Sequence, residues 1–447
     1  MRLICILAVC FFVSLKVRLS YLDFAEVNSD SLSPYLAAMK FWYQGFSDPP
    51  NPESDHWMWL TTAPWVRWGD SLESLFSIRF FWGACIAPIG SLCMFYLTER
   101  RRYISALCVG LLLALDKGLI DTLISSFRGY MAPEFIALAT FFAILAVRNT
   151  RWYLYPCLVC VLIGSGHHSM ALGALLGVLL LSYRLRISFL QMLYLCVLGL
   201  VCLGFRMLWL WEIVQCDLGG WLCIEQIATG SSEKLGWWSL LYRIVHDRFY
   251  IELGWASFFI ILGWLFASHR FFGHWVWGGI LGVCILGVMI ATLRPYHLRI
   301  YCVPMCVLSV LGWSQKEYFG FRVVLFWVLL QWYSAVDITG ERGGLRKHDA
   351  LAAELPRGEK NIWVEAEIDS NINAAGVVLS SLLSGFSKDN FATTPLGNVL
   401  VVLEMDGQKE SVVVYETVNK YLDAKRLMGG YDWAIMIHKE EEIILFD

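Results

Sequence analysis

Only 16% of the 447 residues are charged, so the ionisable groups can be followed one by one. Four clusters sit at the edges of apolar runs, where a charge costs several kcal/mol unless it faces a polar cavity or a partner. The first is acidic. Asp23, Glu26 and Asp30 follow the first apolar run, and Asp30 precedes Ser33-Pro34, an N-cap and N1 pair that starts a helix. Free N–H groups and the helix dipole there favour an ionised carboxylate, which can act as a general base or simply cap the helix. Glu53, Asp55, His56 and Asp70 are further acid, base or ligand candidates in the same loop, and Glu53-x-Asp55-His56 has metal-ligand chemistry of low specificity. The second cluster is Arg294-Pro-Tyr-His297-Leu-Arg299, two always-charged donors and a histidine suited to phosphate oxygens; lipid-headgroup snorkelling is the structural alternative. Gly164-Ser-Gly-His167-His168-Ser169 is the third, an irregular turn at membrane depth that can line a wet cavity. The fourth, Arg128 with Glu134, reads as a local ion pair beside a turn.

These clusters are positioned by eleven apolar runs: Leu3 to Val17, Phe76 to Leu97, Ile104 to Ile124, Phe135 to Val147, Trp152 to Ile163, Met170 to Leu181, Leu190 to Leu210, Leu253 to Ala267, Trp275 to Thr292, Ile300 to Trp313 and Val323 to Val336. The fold class expected is therefore an all-α polytopic membrane protein of about 11 transmembrane helices, several short enough to need tilt, with a small C-terminal α/β domain. The first run can also be read as a signal peptide, but no small-x-small cleavage site follows it. As an uncleaved span it needs Lys16 and Arg18 to snorkel. Alternate short loops are basic: Arg100-Arg101-Arg102, Arg148 with Arg151, Arg184 with Arg186, His269-Arg270, and Lys316 with Arg322. By the positive-inside rule these are cytoplasmic, which puts the N-terminus inside and all four clusters outside. In the first outward loop, residues 16 to 75, Leu32, Tyr35, Leu36, Met39, Trp42 and Tyr43 recur at helical spacing and predict an amphipathic surface helix.

Composition agrees: 57% of the residues are hydrophobic and 21 are Trp, an interfacial anchor. A formal net charge of −3 with no basic tail excludes a nucleic-acid partner. Of the 14 cysteines most lie inside apolar runs, where they behave as small hydrophobes. Cys216 and Cys223 stand apart in an outward loop, where Gly219-Gly220 can turn the chain into a disulfide; two free thiols are the alternative.

Past Asp337 the pattern is soluble. Residues 361–365, 398–405, 411–415, 432–438 and 443–446 read as strands, 376–383 and 416–428 as helices. The expected division is thus residues 1–336, transmembrane, and 337–447, an extracytoplasmic α/β domain with a net charge of about −8. No phosphate loop, metal spacing or nucleophile elbow occurs in that domain.

Asp30 in Asp-Ser-Leu-Ser-Pro-Tyr35, the stretch from His56-Trp57 through Ala63-Pro64 to Asp70 and Arg79, Arg299-Ile-Tyr301-Cys-Val-Pro304 before a late helix, and Leu355-Pro-Arg-Gly358 together resemble the GT-C superfamily of membrane glycosyltransferases. The resemblance covers most of the apolar portion and rests on order and topology, carried by short motifs. It implies a multi-pass protein, of a bacterial inner membrane, that moves a sugar from a polyprenyl-phosphate donor to a glycan, lipid or protein acceptor with inversion. On this reading Asp30 is the base, with Glu26, Asp55 and Asp70 next in line. Arg294 and Arg299, with Arg128, His167, His168 and His297, would hold the lipid phosphate. Trp57, Trp59, Trp237 and Trp238 would stack on sugar or anchor the interface. The first loop departs from the family in lacking an Asp-x-Asp pair, so no cofactor is implied with certainty and a divalent metal stays open.

Two other functions fit the same pattern. A flippase for lipid-linked glycans or a small-molecule transporter also carries charge among its helices, as Asp116, Lys117, Asp121 and Arg206 do here; such proteins often have internal repeats, and none is evident. A polymerase or ligase of lipid-linked glycans would share the outward arginines.

Overall fold

In a computed structural model of the chain, the described residues are 1–25, 27, 35, 64–99, 102–124, 131–214, 242, 255–267, 270–289, 295–336, 344–354, 362–366, 376, 379–380, 383–384, 403–405, 408–410, 433–437 and 443–446. The chain divides into two compact units, Met1–Ser20 with Phe80–Leu123 and Gly129–Thr339, and Tyr21–Arg79 with Ile124–Arg128 and Gly340–Asp447.

The first unit is helical throughout its described residues. In chain order the helices are α1 (Arg2–Leu19), α2 (Leu72–Ala84, begun in the second unit), α3 (Ile86–Leu97), α4 (Arg102–Ala114), α5 (Lys117–Ile124), α6 (Ala132–Arg148), α7 (Leu154–His167), α8 (Ala174–Arg184), α9 (Phe189–Val214), α10 (Trp255–Phe266), α11 (Arg270–Met289), α12 (Cys302–Ser314) and α13 (Glu317–Val336). The described part of each apolar run falls on these helices or on the 3₁₀ turns that lead into them. By length and composition, Leu72–Leu97 is the one stretch among the described residues that is long and apolar enough to cross a bilayer.

Packing ranks the helices. In α12 every residue from Cys302 to Trp313 is buried, and it touches α3, α4, α6, α10, α11 and α13, as expected of a helix apolar on all sides. Elsewhere the usual order of faces is inverted. The residues α1 buries are Cys10, Ser14 and Arg18, a stripe at i, i+4, i+8, while Ile4, Val9 and Phe12 are exposed. Helix α9 exposes Phe189, Leu190, Leu193, Tyr194, Val197 and Leu200; α13 exposes Leu325, Phe326, Leu329 and Trp332 while burying Gln331. Helices α8 and α11 meet through glycines. A Cβ on Gly177 would lie 2.7 Å from Trp275 O, and one on Gly278 2.7 Å from Gly177 Cα, an approach that only Gly permits.

Two expectations need correction. The run Ile104 to Ile124 is not one helix: the chain breaks at Leu115–Asp116, because the Asp116 side chain caps α5 by accepting the Leu119 N–H at 2.9 Å. Gly164 and Gly166 lie inside α7, not in a turn, and the break comes at His168. Gly164 serves contact instead, since its Cβ would meet Phe135 Cβ at 3.2 Å.

In the second unit, α14 (Gly344–Glu354) is the described helix after α13, and strands β1 (Ile362–Ala366), β4 (Trp433–Ile437) and β5 (Ile443–Phe446) form a sheet in the order β1-β4-β5. β1 runs parallel to β4 and β4 antiparallel to β5; β2 (Leu403–Met405) and β3 (Gln408–Glu410) pair as a separate antiparallel ladder. Asp349 of α14 accepts the N–H groups of Leu72 (2.9 Å) and Glu73 (3.0 Å), satisfying two donors at the start of α2, and also the Ser380 hydroxyl. Arg346 pairs with Asp23 (3.4 Å) and Glu73 (3.3 Å). Tyr35 and Arg79, both fully buried, pack against Phe76, ring to ring at 5.6 Å and guanidinium to ring at 5.4 Å.

Candidate functional site

In the first unit the buried acidic and basic residues among those described lie where helices end. Arg18 is in the last turn of α1, Asp116 at the start of α5, Glu134 in the first turn of α6, His167 at the end of α7 and Arg299 in the 3₁₀ turn Pro295–Tyr301 that leads into α12.

Arg18 is fully buried and does not snorkel, contrary to expectation. Its guanidinium donates to Ser14 Oγ, to Ala114 O at 3.1 Å and to Leu113 O at 3.2 Å. The last two are carbonyls at the C-terminal end of α4, which have no intrahelical donor and carry the negative end of the dipole. Glu134 and Asp116 are the carboxylates whose charge acts most on it. The sequence does carry a signal for this inward turn: Cys10, Ser14 and Arg18 share one face at i+4 spacing.

Arg299 is 8% exposed and reaches Asp121 of α5, Nη2 to Oδ2 at 3.3 Å. Asp116 and Asp121 therefore belong to one short helix, the first fixing its start and the second holding the arginine. The turn bearing Arg299 is tied down by Tyr301, whose hydroxyl donates toward Ala171 O (3.3 Å) and Met170 O (3.5 Å) in the 3₁₀ segment Ser169–Gly173. Pro304 falls in the first turn of α12, where a missing N–H costs nothing.

That contact brings the turn of Arg299 to the segment that follows the paired histidines. His167 is buried, its ring stacked on Phe135 at 5.5 Å and 18°. His168 has extended backbone and its Nδ1 accepts the Met170 N–H at 3.2 Å, so it caps the 3₁₀ turn. The two rings have separate tasks and do not form one ligand pair. Glu134 is 4% exposed, one residue from Phe135, and Pro133 precedes it at the helix start.

No protein-family profile and no curated protein matches the sequence. Among solved structures, the chain is similar to the oligosaccharyltransferase of Archaeoglobus fulgidus crystallised with zinc and sulfate, with a TM-score of 0.48 and 12% identity over 84% of this chain and 61% of that one. It is also similar to the oligosaccharyltransferase AglB of the same organism in complex with an inhibitory peptide and a dolichol-phosphate, at TM-score 0.46 and 11% identity over 85% and 63%. The chain spans about three fifths of the length of either.

Of the residues singled out in the sequence, Arg299 and His168 lie on or beside two 3₁₀ turns, 295–301 and 169–173, that the Tyr301–Ala171 bond joins, while the side chains of Arg299, His167 and His168 take separate partners in Asp121, Phe135 and Met170. Asp70, in the second unit, is exposed and accepts from the Ser71 hydroxyl at 3.3 Å, beside the start of α2. For His297 and Arg206 the backbone is helical and the side chains are not described. Glu26, Asp30, Glu53, Asp55, His56, Arg128, Arg294, Cys216, Cys223, Trp57, Trp59, Trp237 and Trp238 lie outside the described residues, as does the amphipathic helix of the first loop apart from Tyr35. Among the described residues no group of three or more His, Cys, Asp or Glu could hold a metal. What the described residues offer is a buried arginine paired with a partly exposed carboxylate.

Proposed function

We propose that the chain is a multi-pass membrane glycosyltransferase that takes a sugar from a polyprenyl-phosphate donor outside the cytoplasm. The observation that carries this reading is the inverted dress of the helices: polar Ser14, Arg18 and Gln331 face inward while Ile4, Phe12, Phe189, Leu193, Phe326 and Leu329 face out. Such a surface suits lipid, and it leaves Arg299 beside the partly exposed Asp121 where a lipid phosphate can reach it. The N-terminus would be cytoplasmic, and residues 337–447 would be an extracytoplasmic domain.

In the proposed step the acceptor hydroxyl oxygen attacks the anomeric carbon as the bond from that carbon to the phosphate oxygen breaks. The bonding electrons leave with the phosphate, and the hydroxyl proton passes to a carboxylate. Asp30 is our choice of base from its position after the first apolar run, with Glu26, Asp55 and Asp70 as alternatives. Arg299, with Arg294, holds the phosphate as it gains charge. In-line attack inverts the sugar. Asp30→Asn keeps size and hydrogen bonding but removes basicity, and turnover should fall by about 10² to 10⁴ with donor binding retained. Wild-type turnover in Asp30→Asn moves the base to another residue. If no acidic substitution in the first loop affects transfer, the transferase reading fails.

A second reading, movement of a lipid-linked glycan without bond cleavage, is favoured by Asp116 and Glu134, two buried carboxylates that transfer chemistry does not use.

A further inference from the structure

Among the described residues of the first unit, the indole N–H groups of buried and half-buried tryptophans find an acceptor, with one exception. Trp275 donates to Thr140 Oγ1 at 3.2 Å, Trp313 to Phe259 O at 2.8 Å and Trp264 to Met305 O at 3.1 Å. Trp327 of α13 is 1% exposed, yet its Nε1 has no hydrogen-bond acceptor among the described residues. A buried N–H left in that state costs about 1–3 kcal/mol. It borders a cavity of about 10 Å³ lined also by Asp116, Gln331, Cys302, Cys306 and Met305, all of them less than 9% exposed. One oxygen of Asp116, Oδ1, accepts the Leu119 N–H, and Oδ2 has no donor among the described residues.

The chemistry of the lining defines the occupant. It must accept from an indole N–H and donate to a carboxylate oxygen. An anion would face Asp116 across a few ångströms, and a cation would face the positive edge of the indole. About 10–15 Å³ is the room that one water needs, and two to four polar partners are what holds it. We propose that the cavity is a specific site for a single water molecule that accepts from Trp327 Nε1, donates to Asp116 and is completed by the Gln331 amide. That water would tie α13 to the start of α5, the helix that carries Asp121 to Arg299. It is independent of the transfer reaction.

Radiolytic footprinting of the full chain in detergent or nanodiscs tests this, because hydroxyl radicals made from a bound water oxidise the side chains that touch it even when bulk solvent cannot. Trp327 and Met305 should be oxidised severalfold faster than Trp275 and Met94, which are as buried but do not line the cavity. In Trp327→Phe the ring shape stays but the donor goes, and oxidation of Met305 should fall toward that of Met94. Equal rates at Trp327 and Trp275 in the wild-type protein would overturn the proposal, whatever the behaviour of the variant. So would unchanged oxidation of Met305 in a folded Trp327→Phe.

Discussion

Arg299 and Arg18 are both arginines at a helix end, and their surroundings ask different things of them. The Arg299–Asp121 pair joins, at 3.3 Å, an arginine side chain 10% exposed to an aspartate side chain 38% exposed, so it lies between a surface pair, worth about 0–1 kcal/mol, and a fully buried one, whose breaking costs about 3–5 kcal/mol. Arg299→Ala should therefore lower the unfolding temperature modestly, while in the folded protein it slows sugar transfer by about 10² to 10³, as loss of one donor to a developing anion does. An equal loss of stability and activity would make Arg299 structural. Arg18 is the opposite case, fully buried and spent on Ser14 and two carbonyls. Arg18→Leu removes the donor to those carbonyls and the positive charge that Glu134 and Asp116 act on, and should cost about 3–5 kcal/mol in denaturant unfolding. The sequence singled out Arg299, because two arginines within six residues at the edge of an apolar run suit an anion, but it did not show the partner the structure gives it, Asp121. It hid Arg18, because a charge at the end of an apolar run reads alike whether it snorkels or turns in. Only the i+4 stripe with Ser14 and Cys10 tells the two apart.

Elements were legible as apolar runs, and their breaks were not. An aspartate inside the run from Ile104 to Ile124 is as compatible with a buried polar residue as with a helix start; the capping bond to Leu119 decides it. Glycine is ambiguous in the same way, since Gly164 reads as a turn former and acts as a contact surface against Phe135. The α8–α11 crossing makes a direct test: Gly177→Leu should destabilise by about 1–3 kcal/mol through overpacking, measured by thermal unfolding in detergent. At α2 the cap comes from far along the chain, Asp349 to Leu72 and Glu73, which no local pattern could have given. Asp349→Ala should cost about 0.5–2 kcal/mol and speed amide exchange at Leu72 and Glu73 before it affects α12.

For the whole molecule, residues 362–366, 433–437 and 443–446 were readable as strands, but the order β1-β4-β5 with its one parallel pair was not, because pairing is set by contacts far apart in sequence. The sequence also cut the chain once, at 336, whereas residues 21–79 and 340–447 belong to a common compact unit. The proposed orientation rests on charge alternation between loops and is tested by a reporter active only outside the cytoplasm, which should work when fused after Gly344 and fail after Arg102; the reverse would remove the outward site. The most direct measurement of the central claim is made on the purified full chain with a polyprenyl-phosphate sugar and an acceptor glycan. Transfer predicts release of free polyprenyl phosphate in step with an inverted glycosidic product, with both reduced in Arg299→Ala. Intact donor moved across a vesicle membrane with no polyprenyl phosphate released would contradict it.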